Sequence, residues 1–444
     1  MSSKPTENKI ALISLGCPKN LVNSEEMAAL LQQAGYAFTD DPAEADAAII
    51  NTCAFIESAK TEAIDRILET AALREVNPGL KIVVAGCLAQ RYSADIRAEI
   101  PEVDGIIGTG SYSEVVSVVE SVLSGGRPTV CGDISAPIRE LPRAVSTGPN
   151  WAYLRIAEGC DNHCAYCVIP SLRGRYRSRS MEAILTEAKL LAASGVKELI
   201  VVAQDITRYG KDLYGRRRLA DLLRELCRMD FVWVRLHYLY PEEIDDELID
   251  VIASEEKIVK YLDIPIQHIN DDILRRMNRR STGEQIRALF QKLRERIPGL
   301  VLRTSLITGL PGEGEAEFEE LCAFLRQARI ERAGVFPYSP EEGTRAAAMP
   351  DRCSTEEAER RAQLCMEIQA EIMDEFAQSL AGRQLDVLVM GFEDDGTAWG
   401  RCPYDSPDID SRVIISGRAQ PGEMIRVEVT AADEGELIGE RIDI

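Results

Sequence analysis

Three cysteine residues lie within eight positions of the stretch EGCDNHCAYC, at Cys160, Cys164 and Cys167. A tetrahedral zinc site would need a fourth ligand, and His163 could supply it, but His163 adjoins Cys164 and crowds such a site. A 4Fe–4S cluster normally takes four thiolates, so three thiolates leave one iron open to another molecule. A disulfide would leave one thiol over, and the polar neighbour Asp161 argues against a purely buried structural role. We therefore predict a cluster with an open iron and keep the zinc site as the alternative.

A second set of three cysteines is spread over the N-terminal part of the chain. Cys17, Cys53 and Cys87 end the apolar runs IALISLGC, AAIINTC and KIVVAGC, and 36 and 34 residues separate them. Each interval is the length of one β/α unit, and the carboxyl ends of parallel strands meet at one edge of a sheet. The alternative is that each is a small buried residue after a strand, as cysteine often is. Three cysteines in consecutive β/α units instead favour a set of metal ligands. Because there are again three thiols and not four, we predict a second cluster with an open iron.

The elements that must position these cysteines follow from the apolar pattern. The first 125 residues alternate continuous apolar runs with helical patterns, which predicts a doubly wound parallel sheet in a domain of residues 8–125. Asn23 and Glu26 have the spacing of a capping box at the start of the first helix, and Gly35 is placed to end it. Residues 126–145 are rich in Pro, Gly and Ser and are predicted to be a linker.

The alternation resumes on a longer scale in residues 146–377. The strand candidates are WAYLRIA, KELIVVAQD, FVWVRLHYLY, YLDIPIQ, LVLRTSLITG and AGVFPYS. Six β/α units predict an open (β/α)6 partial barrel. The cysteine stretch follows the first of these strands, so we expect its open iron at the carboxyl-terminal mouth of the barrel, where such folds hold their sites. Ser354, with Glu357 three positions on, is expected to start a long helix.

The pattern changes again in residues 378–444. Five short strands predict a small antiparallel β-barrel of OB-like character. Together with the two preceding regions, this barrel makes the whole chain an expected α/β multidomain protein. This part contains six Arg, no Lys and fourteen Asp or Glu residues, a formal charge of −8.

Composition restricts the classes of function. The 444 residues carry a net charge of −22, which favours a basic partner and argues against nucleic acid as the main ligand. No apolar run approaches the roughly 18 residues that a membrane span needs. The N-terminus has a polar lead and no apolar signal core, so we expect a cytoplasmic protein with no membrane partner and with its twelve cysteines reduced.

The two cysteine trios and the terminal β-domain together resemble the radical S-adenosylmethionine (SAM) methylthiotransferase family, in particular its RimO type. The resemblance covers nearly the whole chain: an N-terminal methylthiotransferase domain, a radical SAM domain and a TRAM domain. The stretches that carry it are SLGCPKNLVNSEE, NTCAFIESA, AGCLAQRY, VIPSLRGRYRSR, AQDITRYG, YLDIPIQH, SLITGLPGE and FPYSPEEGT. The tRNA-modifying MiaB type usually has Gln-Met-Asn after its first cysteine, whereas Cys17 is followed here by Pro18, Lys19 and Asn20.

The resemblance implies methylthiolation of the β-carbon of an aspartate in the twelfth small-subunit ribosomal protein. It implies two 4Fe–4S clusters, one SAM that methylates the sulfur carried by the auxiliary cluster, and another that yields a 5′-deoxyadenosyl radical. The partners would be that basic ribosomal protein and a cellular one-electron reductant. Two alternatives remain: a tRNA adenosine methylthiotransferase, which the net charge disfavours, and a two-cluster electron-transfer protein, which would be expected to have four thiolates per cluster.

The resemblance also assigns residues, and it implies no catalytic side chain beyond the cluster ligands. The metal ligands would be Cys17, Cys53 and Cys87 for the auxiliary cluster, and Cys160, Cys164 and Cys167 for the cluster that binds SAM. The SAM contacts would be Tyr166, Gln204 and Gly309. The run RGRYRSR places Arg173, Arg175, Arg177 and Arg179 at alternate positions. If the run is extended, these arginines share one side and either hold a carboxylate or form a solvated face.

Overall fold

The chain folds into two compact units in a computed structural model that describes residues 8–148 and 150–442. The first unit contains residues 8–146, 157–179 and 341–344. The second contains the rest of the chain from residue 147 onward. Both cysteine trios therefore belong to the first unit. The domain boundaries drawn from the sequence stay predictions.

Strands and helices alternate along most of the described residues. The strands are β1 (Lys9–Ser14), β2 (Ala37–Phe38), β3 (Ala47–Thr52), β4 (Lys81–Gly86), β5 (Gly105–Ile107), β6 (Thr129–Val130), β7 (Trp151–Arg155), β8 (Ala157–Glu158), β9 (Arg177–Ser178), β10 (Glu198–Val202), β11 (Trp233–Leu236), β12 (Ile258–Asp263), β13 (Val301–Thr308), β14 (Arg332–Pro337), β15 (Gln384–Phe392), β16 (Ala398–Arg401), β17 (Val413–Ser416), β18 (Met424–Asp433) and β19 (Glu436–Arg441).

The helices vary from one turn to more than six turns. They are α1 (Pro18–Gln33), α2 (Glu57–Ala72), α3 (Cys87–Glu99), α4 (Val115–Leu123), α5 (Ile169–Arg173), α6 (Met181–Ala193), α7 (Lys211–Tyr214), α8 (Leu219–Cys227), α9 (Asp246–Ser254), α10 (Asp271–Arg276), α11 (Gly283–Arg296), α12 (Glu315–Ala328) and α13 (Thr355–Gln378). Short 3-10 turns lie at Pro42–Glu44, Leu73–Glu75, Tyr112–Glu114, Pro241–Glu243 and Ala346–Ala348. Among the described residues, no helix is both long and apolar enough to cross a bilayer.

The first unit is built on a six-stranded parallel sheet in the order β2-β1-β3-β4-β5-β6. One face packs with α1 and α4, and the other with α2 and α3, which confirms the doubly wound fold. The edge strands β2 and β6 have two residues each and were not predicted, because two residues carry no periodicity. Strand β6 lies inside the stretch predicted as a linker.

Helix α1 begins earlier than the capping-box prediction placed it. Pro18 occupies its first position, where its fixed φ suits a helix and its missing N–H is no loss. Asn23 lies inside the helix, and its amide donates a hydrogen bond of 3.0 Å to Glu26. The predicted start at Asn23 was therefore wrong, whereas Gly35, with a φ of 93°, follows the end of the helix as expected. Cys17 occupies the N-cap position of α1, directly before the first helical residue.

The second unit contains a six-stranded sheet in the order β14-β13-β12-β11-β10-β7. All five neighbouring pairs are parallel, and the strands follow one another in chain order. This is the open (β/α)6 partial barrel that the sequence predicted. Helix α13 follows it and starts as predicted, because Ser354 accepts a hydrogen bond of 3.2 Å from the Glu357 N–H.

The last five strands form a closed barrel in the order β15-β16-β17-β19-β18, and β8 and β9 form a separate two-stranded sheet. The pair β17–β19 is parallel and the other pairs are antiparallel. The small barrel was predicted, and the parallel pair was not.

Buried ion pairs anchor this barrel to the six-stranded sheet of the same unit. Glu198 of β10 lies 2.6 Å from Arg235 of β11 and 2.6 Å from Arg401 of β16. Arg332 of β14 lies 3.0 Å from Asp405. Each charge is paired, which is the condition for burying ionised groups, so these contacts specify one position for the barrel on the sheet.

Candidate metal centre

The first cysteine trio lies at one edge of the parallel sheet. Cys53 directly follows β3, Cys87 directly follows β4, and Cys17 lies three residues after β1. These three strands are neighbours and parallel, so their carboxyl ends meet at the same edge. The thiols of Cys17 and Cys87 are close enough to Cys53 to interact with it electrostatically. The fold thus brings together three residues that span seventy positions of the chain.

Buried amide groups join the loops that carry these thiols. Asn20 donates two hydrogen bonds of 3.0 Å, to the carbonyls of Leu15 and Thr52. Asn51 donates a bond of 2.8 Å to the Asn20 carbonyl, and the Thr52 hydroxyl donates one of 2.6 Å to the Ala85 carbonyl. The ends of β1, β3 and β4 are therefore locked together by side chains. The sequence analysis missed this role, although a buried Asn-Thr pair at the end of an apolar strand was a usable signal.

Glycines allow the strand ends to approach this closely. Gly16 has a φ of +86°, and a Cβ added to it would lie 2.7 Å from the Cβ of Cys53. Gly86 has a φ of +94°, and its Cβ would lie 2.6 Å from the Thr52 carbonyl oxygen. At both positions the backbone has a left-handed conformation and there is no room for a Cβ atom. Any larger residue would therefore push the cysteines apart.

The second trio lies in a loop that is closed at its base. Strands β8 and β9 pair antiparallel on either side of it. The Cys160 N–H donates a 3.2 Å hydrogen bond to the Gly174 carbonyl, and the Cys167 N–H donates one of 3.1 Å to the Cys164 carbonyl. Asp161 accepts a bond of 3.0 Å from the Tyr176 N–H. These bonds hold the three cysteines in one compact turn.

Backbone N–H groups point at the sulfur atoms of both trios in the same way. In four cases the donor is the N–H two residues after the cysteine: Lys19 to Cys17, Phe55 to Cys53, Asn162 to Cys160 at 3.5 Å, and Ile169 to Cys167 at 3.5 Å. Hydrogen bonds to thiolate sulfur stabilise the ionised form and tune iron–sulfur clusters. The donor arrangement therefore suits thiolate ligands in both loops.

The acidities of the first trio differ. Burial by itself would raise the pKa of Cys17, but the positive charges of Lys19 and Arg173, together with backbone N–H donors of Lys19 and Asn20, lower that pKa below the usual thiol value. Burial raises the pKa of Cys53 to about 12, and the neighbouring thiols add to the effect. Burial also raises the pKa of Cys87, with Arg173 opposing the shift. Bringing three ionisable thiols together is thus costly without a positive charge beside them.

Arg173 supplies a buried positive charge at this place. Its side chain is 3% exposed, and one guanidinium nitrogen donates a 2.8 Å hydrogen bond to Asn23. The other nitrogen donates to Asn20, and Glu158 lies 3.4 Å away as an ion-pair partner. The guanidinium also interacts electrostatically with Cys17 and Cys87. An arginine on the second trio's segment therefore reaches the first trio.

The four arginines of the RGRYRSR run do not share one side, because the run is not a continuous strand. Arg173 ends helix α5, and Arg175 is exposed. Arg177 donates to the Ala136 carbonyl, and Arg179 pairs with Glu140 at 3.0 Å. The condition for one shared side, an extended run, is therefore not met, and a single carboxylate-binding face does not form.

In the part of the chain that the structure describes, the cysteines and their neighbours do not form a site for a single metal ion. Within residues 8–148 and 150–442, no three Cys, His, Asp or Glu side chains converge on one metal ion. His163, the fourth ligand of the zinc alternative, is exposed. In a cluster each thiolate binds a different iron, so the sulfurs stand further apart than around one ion. All twelve cysteines are free thiols, so three thiols in each trio are available as cluster ligands, and their role as ligands stays a prediction.

The predicted SAM contacts lie in different units. Tyr166 is half-buried in the loop of the first unit, between Cys164 and Cys167. Gln204 and Gly309 belong to the second unit, where they follow the carboxyl ends of β10 and β13. Their roles toward SAM stay predictions.

Gly309 has a structural requirement of its own. Its φ is +75°, and an added Cβ would lie 2.4 Å from the Cβ of Ala358 in α13. Its N–H donates a bond of 2.9 Å to Glu313, a fully buried carboxylate that also pairs with His268 at 3.3 Å and Arg361 at 2.9 Å. The sequence analysis missed this network, which fixes the turn after β13.

The fold and the two cysteine trios define a radical SAM enzyme. Residues 154–325 match the model of the Radical SAM superfamily, and residues 381–442 match the TRAM domain. Residues 9–108, which hold the first trio, match a model described as Uncharacterized protein family UPF0004.

Curated relatives match the chain over nearly its full length. A protein of Lachnoclostridium phytofermentans named ribosomal protein uS12 methylthiotransferase RimO is 49% identical, covering 97% of this chain and 99% of that protein. A protein of the same name from Caldanaerobacter subterraneus subsp. tengcongensis is 46% identical with the same coverage. The chain belongs to the RimO family of radical SAM methylthiotransferases, whose members carry 4Fe–4S clusters and use SAM.

Solved structures support the fold. The radical S-adenosylmethionine methyltransferase TsrM from Kitasatospora setae, with cobalamin and a [4Fe-4S] cluster bound, has a TM-score of 0.55 at 15% identity and covers 86% of this chain and 81% of its own. The same enzyme with tryptophan and a SAM analogue has a TM-score of 0.54 at 16% identity, with 74% and 73% covered. At this identity the likeness establishes the fold alone.

Proposed function

We propose that this protein transfers a methylthio group to the β-carbon of an aspartate in ribosomal protein uS12. Full-length relatives at 49% and 46% identity bear the name of that activity. The observation that carries the proposal is the presence of two trios of free thiols in one compact unit. An electron-transfer protein needs no such pair of three-thiol sites.

The two trios have separate roles in this proposal. Cys160, Cys164 and Cys167 hold the cluster that binds SAM, and Cys17, Cys53 and Cys87 hold the auxiliary cluster. The bound cofactors supply one-electron cleavage of SAM and the sulfur to be transferred. The chain's own groups position them: the backbone N–H donors stabilise the thiolates, and the Asn20 and Asn51 amides hold the three strand ends together. Tyr166, Gln204 and Gly309 are the proposed SAM contacts.

The acidic barrel supports a basic protein as the substrate. Glu428 and Glu440 are exposed and lie directly opposite each other on β18 and β19. Like charges at directly opposed positions destabilise a sheet, so this acidic pair is unfavourable for folding and suits binding of a positively charged partner. A barrel that binds RNA would be expected to be basic. We propose that the reaction takes place in the cytoplasm, with a cellular one-electron reductant.

The substrate is tested with purified, anaerobically reconstituted protein. SAM and dithionite are added to a mixture of small ribosomal subunits and tRNA, and both substrates are analysed by mass spectrometry. We expect a methylthio group on one aspartate of uS12 and none on tRNA adenosine. Modification of adenosine alone would contradict the substrate, and the absence of SAM cleavage would favour an electron carrier.

The ligand assignment is tested by iron analysis. Replacing either trio by alanine should remove about four irons per chain and leave the other cluster, since each cluster contains four irons. Cys227→Ala is the matched control, because Cys227 is a buried cysteine of helix α8 and should leave the iron content unchanged. Full iron content after loss of either trio would refute the assignment.

A further inference from the structure

Arg173 lies where the two cysteine segments of the first unit meet. It is six residues beyond Cys167 and ends helix α5, which packs by Leu172 into the same core as Cys87. Its guanidinium contacts the side chains of Asn20 and Asn23, both in the helix that starts directly after Cys17. One side chain thus connects the two segments.

The charges around this guanidinium are few and well defined. Glu158 is its carboxylate partner at 3.4 Å, and Lys19 is a second cation that acts on Cys17. Both carboxylate oxygens of Glu158 lie 3.4 Å from one guanidinium nitrogen, and the guanidinium also donates a hydrogen bond to the Cys87 sulfur. Three ionised thiolates around a cluster would add negative charge beside this guanidinium, which already interacts with Cys17 and Cys87. The position therefore favours an anionic group beside Arg173.

We propose that Arg173 is a positioning residue for the auxiliary cluster, which holds the loop after β1 in place and raises the reduction potential of the cluster by its positive charge. This inference rests on the proposed ligand role of Cys17, Cys53 and Cys87. Net charge and hydrogen bonding near the sulfurs are among the factors that set cluster potentials. Glu158 has the opposite charge and acts in the opposite direction, since it also interacts with Cys87.

The test uses the full-length chain with Cys160, Cys164 and Cys167 replaced by alanine, so that only the auxiliary cluster contributes to the signal. The midpoint potential is measured by redox titration followed by electron paramagnetic resonance, and iron per chain is measured alongside. In this background Arg173→Gln should shift the midpoint to more negative potential, and Arg173→Lys should shift it less because the charge is kept. Glu158→Gln should shift it to more positive potential.

The matched control is Arg175→Gln, because Arg175 is in the same run and is exposed. It should change neither potential nor iron content. A purely structural role for Arg173 predicts less iron per chain with an unchanged potential in the clusters that form, and that result would overturn the inference. Shifts of the same sign in Arg173→Gln and Glu158→Gln would also overturn it.

Failure of the proposed function is distinguishable from failure of this inference. If the background variant binds no cluster, the ligand assignment is wrong and the inference falls with it. If it binds a cluster whose potential does not respond to Arg173→Gln, Arg173→Lys or Glu158→Gln, only the inference is wrong. Because Glu158→Gln keeps the arginine and its asparagine contacts, it remains informative even if the arginine variants do not fold.

Discussion

The side-chain amide of Asn51 donates a hydrogen bond of 2.8 Å to the main-chain carbonyl of Asn20. The same amide donates a bond of 2.9 Å to the Ser24 hydroxyl. Asn51 lies at the end of β3, and its two partners lie in the first turns of α1. This contact therefore sets the position of the loop with Cys17 relative to the loop with Cys53.

Asn51→Ala is expected to weaken both folding and cluster binding. A buried acceptor left without its donor costs about 1–3 kcal/mol, so the thermal midpoint of the apoprotein should fall. Iron in the auxiliary site should fall as well, because the loops that carry Cys17 and Cys53 lose one of the two side-chain contacts that join them. Thermal denaturation and iron analysis measure the two effects.

The control for this variant is Asn77→Ala. Asn77 also donates two side-chain hydrogen bonds, of 3.1 and 2.8 Å, to the carbonyls of Ala43 and Ala45, but none to a cysteine loop. It should lower stability similarly and leave the iron content unchanged. Equal iron loss in both variants would show that Asn51 acts through overall stability.

The thiols of the metal-free native protein should differ in reactivity toward iodoacetamide. The thiolate is the reactive form, so the rate at a given pH rises as the pKa falls. The pKa of Cys17 lies below the usual thiol value and that of Cys53 is raised to about 12. Cys17 should therefore react first. As the pH is lowered from about 9 to about 7, the reaction rate of Cys53 should fall about tenfold per pH unit, so the ratio of the Cys17 rate to the Cys53 rate should grow. Peptide mass spectrometry follows each site.

Denaturation provides the reference for these rates. In urea the environments of Cys17, Cys53 and Cys87 become equivalent, so their rates should converge on that of an ordinary thiol. Faster reaction of Cys53 than of Cys17 in the native protein would contradict the electrostatic effect of Lys19 and Arg173 on Cys17.

Glu341→Ala should destabilise the first unit. The side chain of Glu341 is 2% exposed and pairs with Arg91 at 2.6 Å and Lys60 at 3.1 Å. Removing the carboxylate leaves the largely buried Arg91 without an acidic partner, whereas Lys60 keeps Glu57 at 2.6 Å. Breaking a buried pair in this way costs up to about 3–5 kcal/mol. Calorimetry of the apoprotein should show a lower thermal midpoint. Glu342→Ala is the control, since its side chain is exposed, and a similar loss in both variants would contradict the role of the ion pair.

Neutralising the opposed acidic pair of the barrel should separate stability from substrate binding. Glu428→Gln with Glu440→Gln removes a like-charge repulsion worth a few tenths of a kcal/mol, so the barrel should become slightly more stable. KM for uS12 should rise while kcat is unchanged, because the attraction for a basic substrate is weakened. Steady-state kinetics at two salt concentrations measures this, and the salt dependence of KM should become smaller.

Glu62→Gln with Asp65→Asn is the charge-matched control, since both residues are exposed on α2 and lie outside the barrel. It should leave KM unchanged. An equal rise in KM for both double variants would show that overall net charge, and not the barrel face, governs binding.

The sequence by itself determined the three architectures and the cysteine pattern. Apolar runs such as those ending at Cys53 and Cys87 predicted strands because burial on both faces of a parallel sheet needs continuous apolar residues. The same local reasoning placed Gly35 after a helix and Ser354 before one. These features depend on residues close together in the chain.

Only the tertiary structure decided how the site is assembled. Arg173 meets Asn23 across 150 residues, and neither residue carries a local signal of that contact. The alternating arginines would share one side only if the run were extended. The chain instead forms a short helix up to Arg173 and then turns, so Arg173 is buried and Arg175 is exposed. A buried charge is placed by partners that the fold brings to it, and no periodicity in the sequence encodes partners that far away.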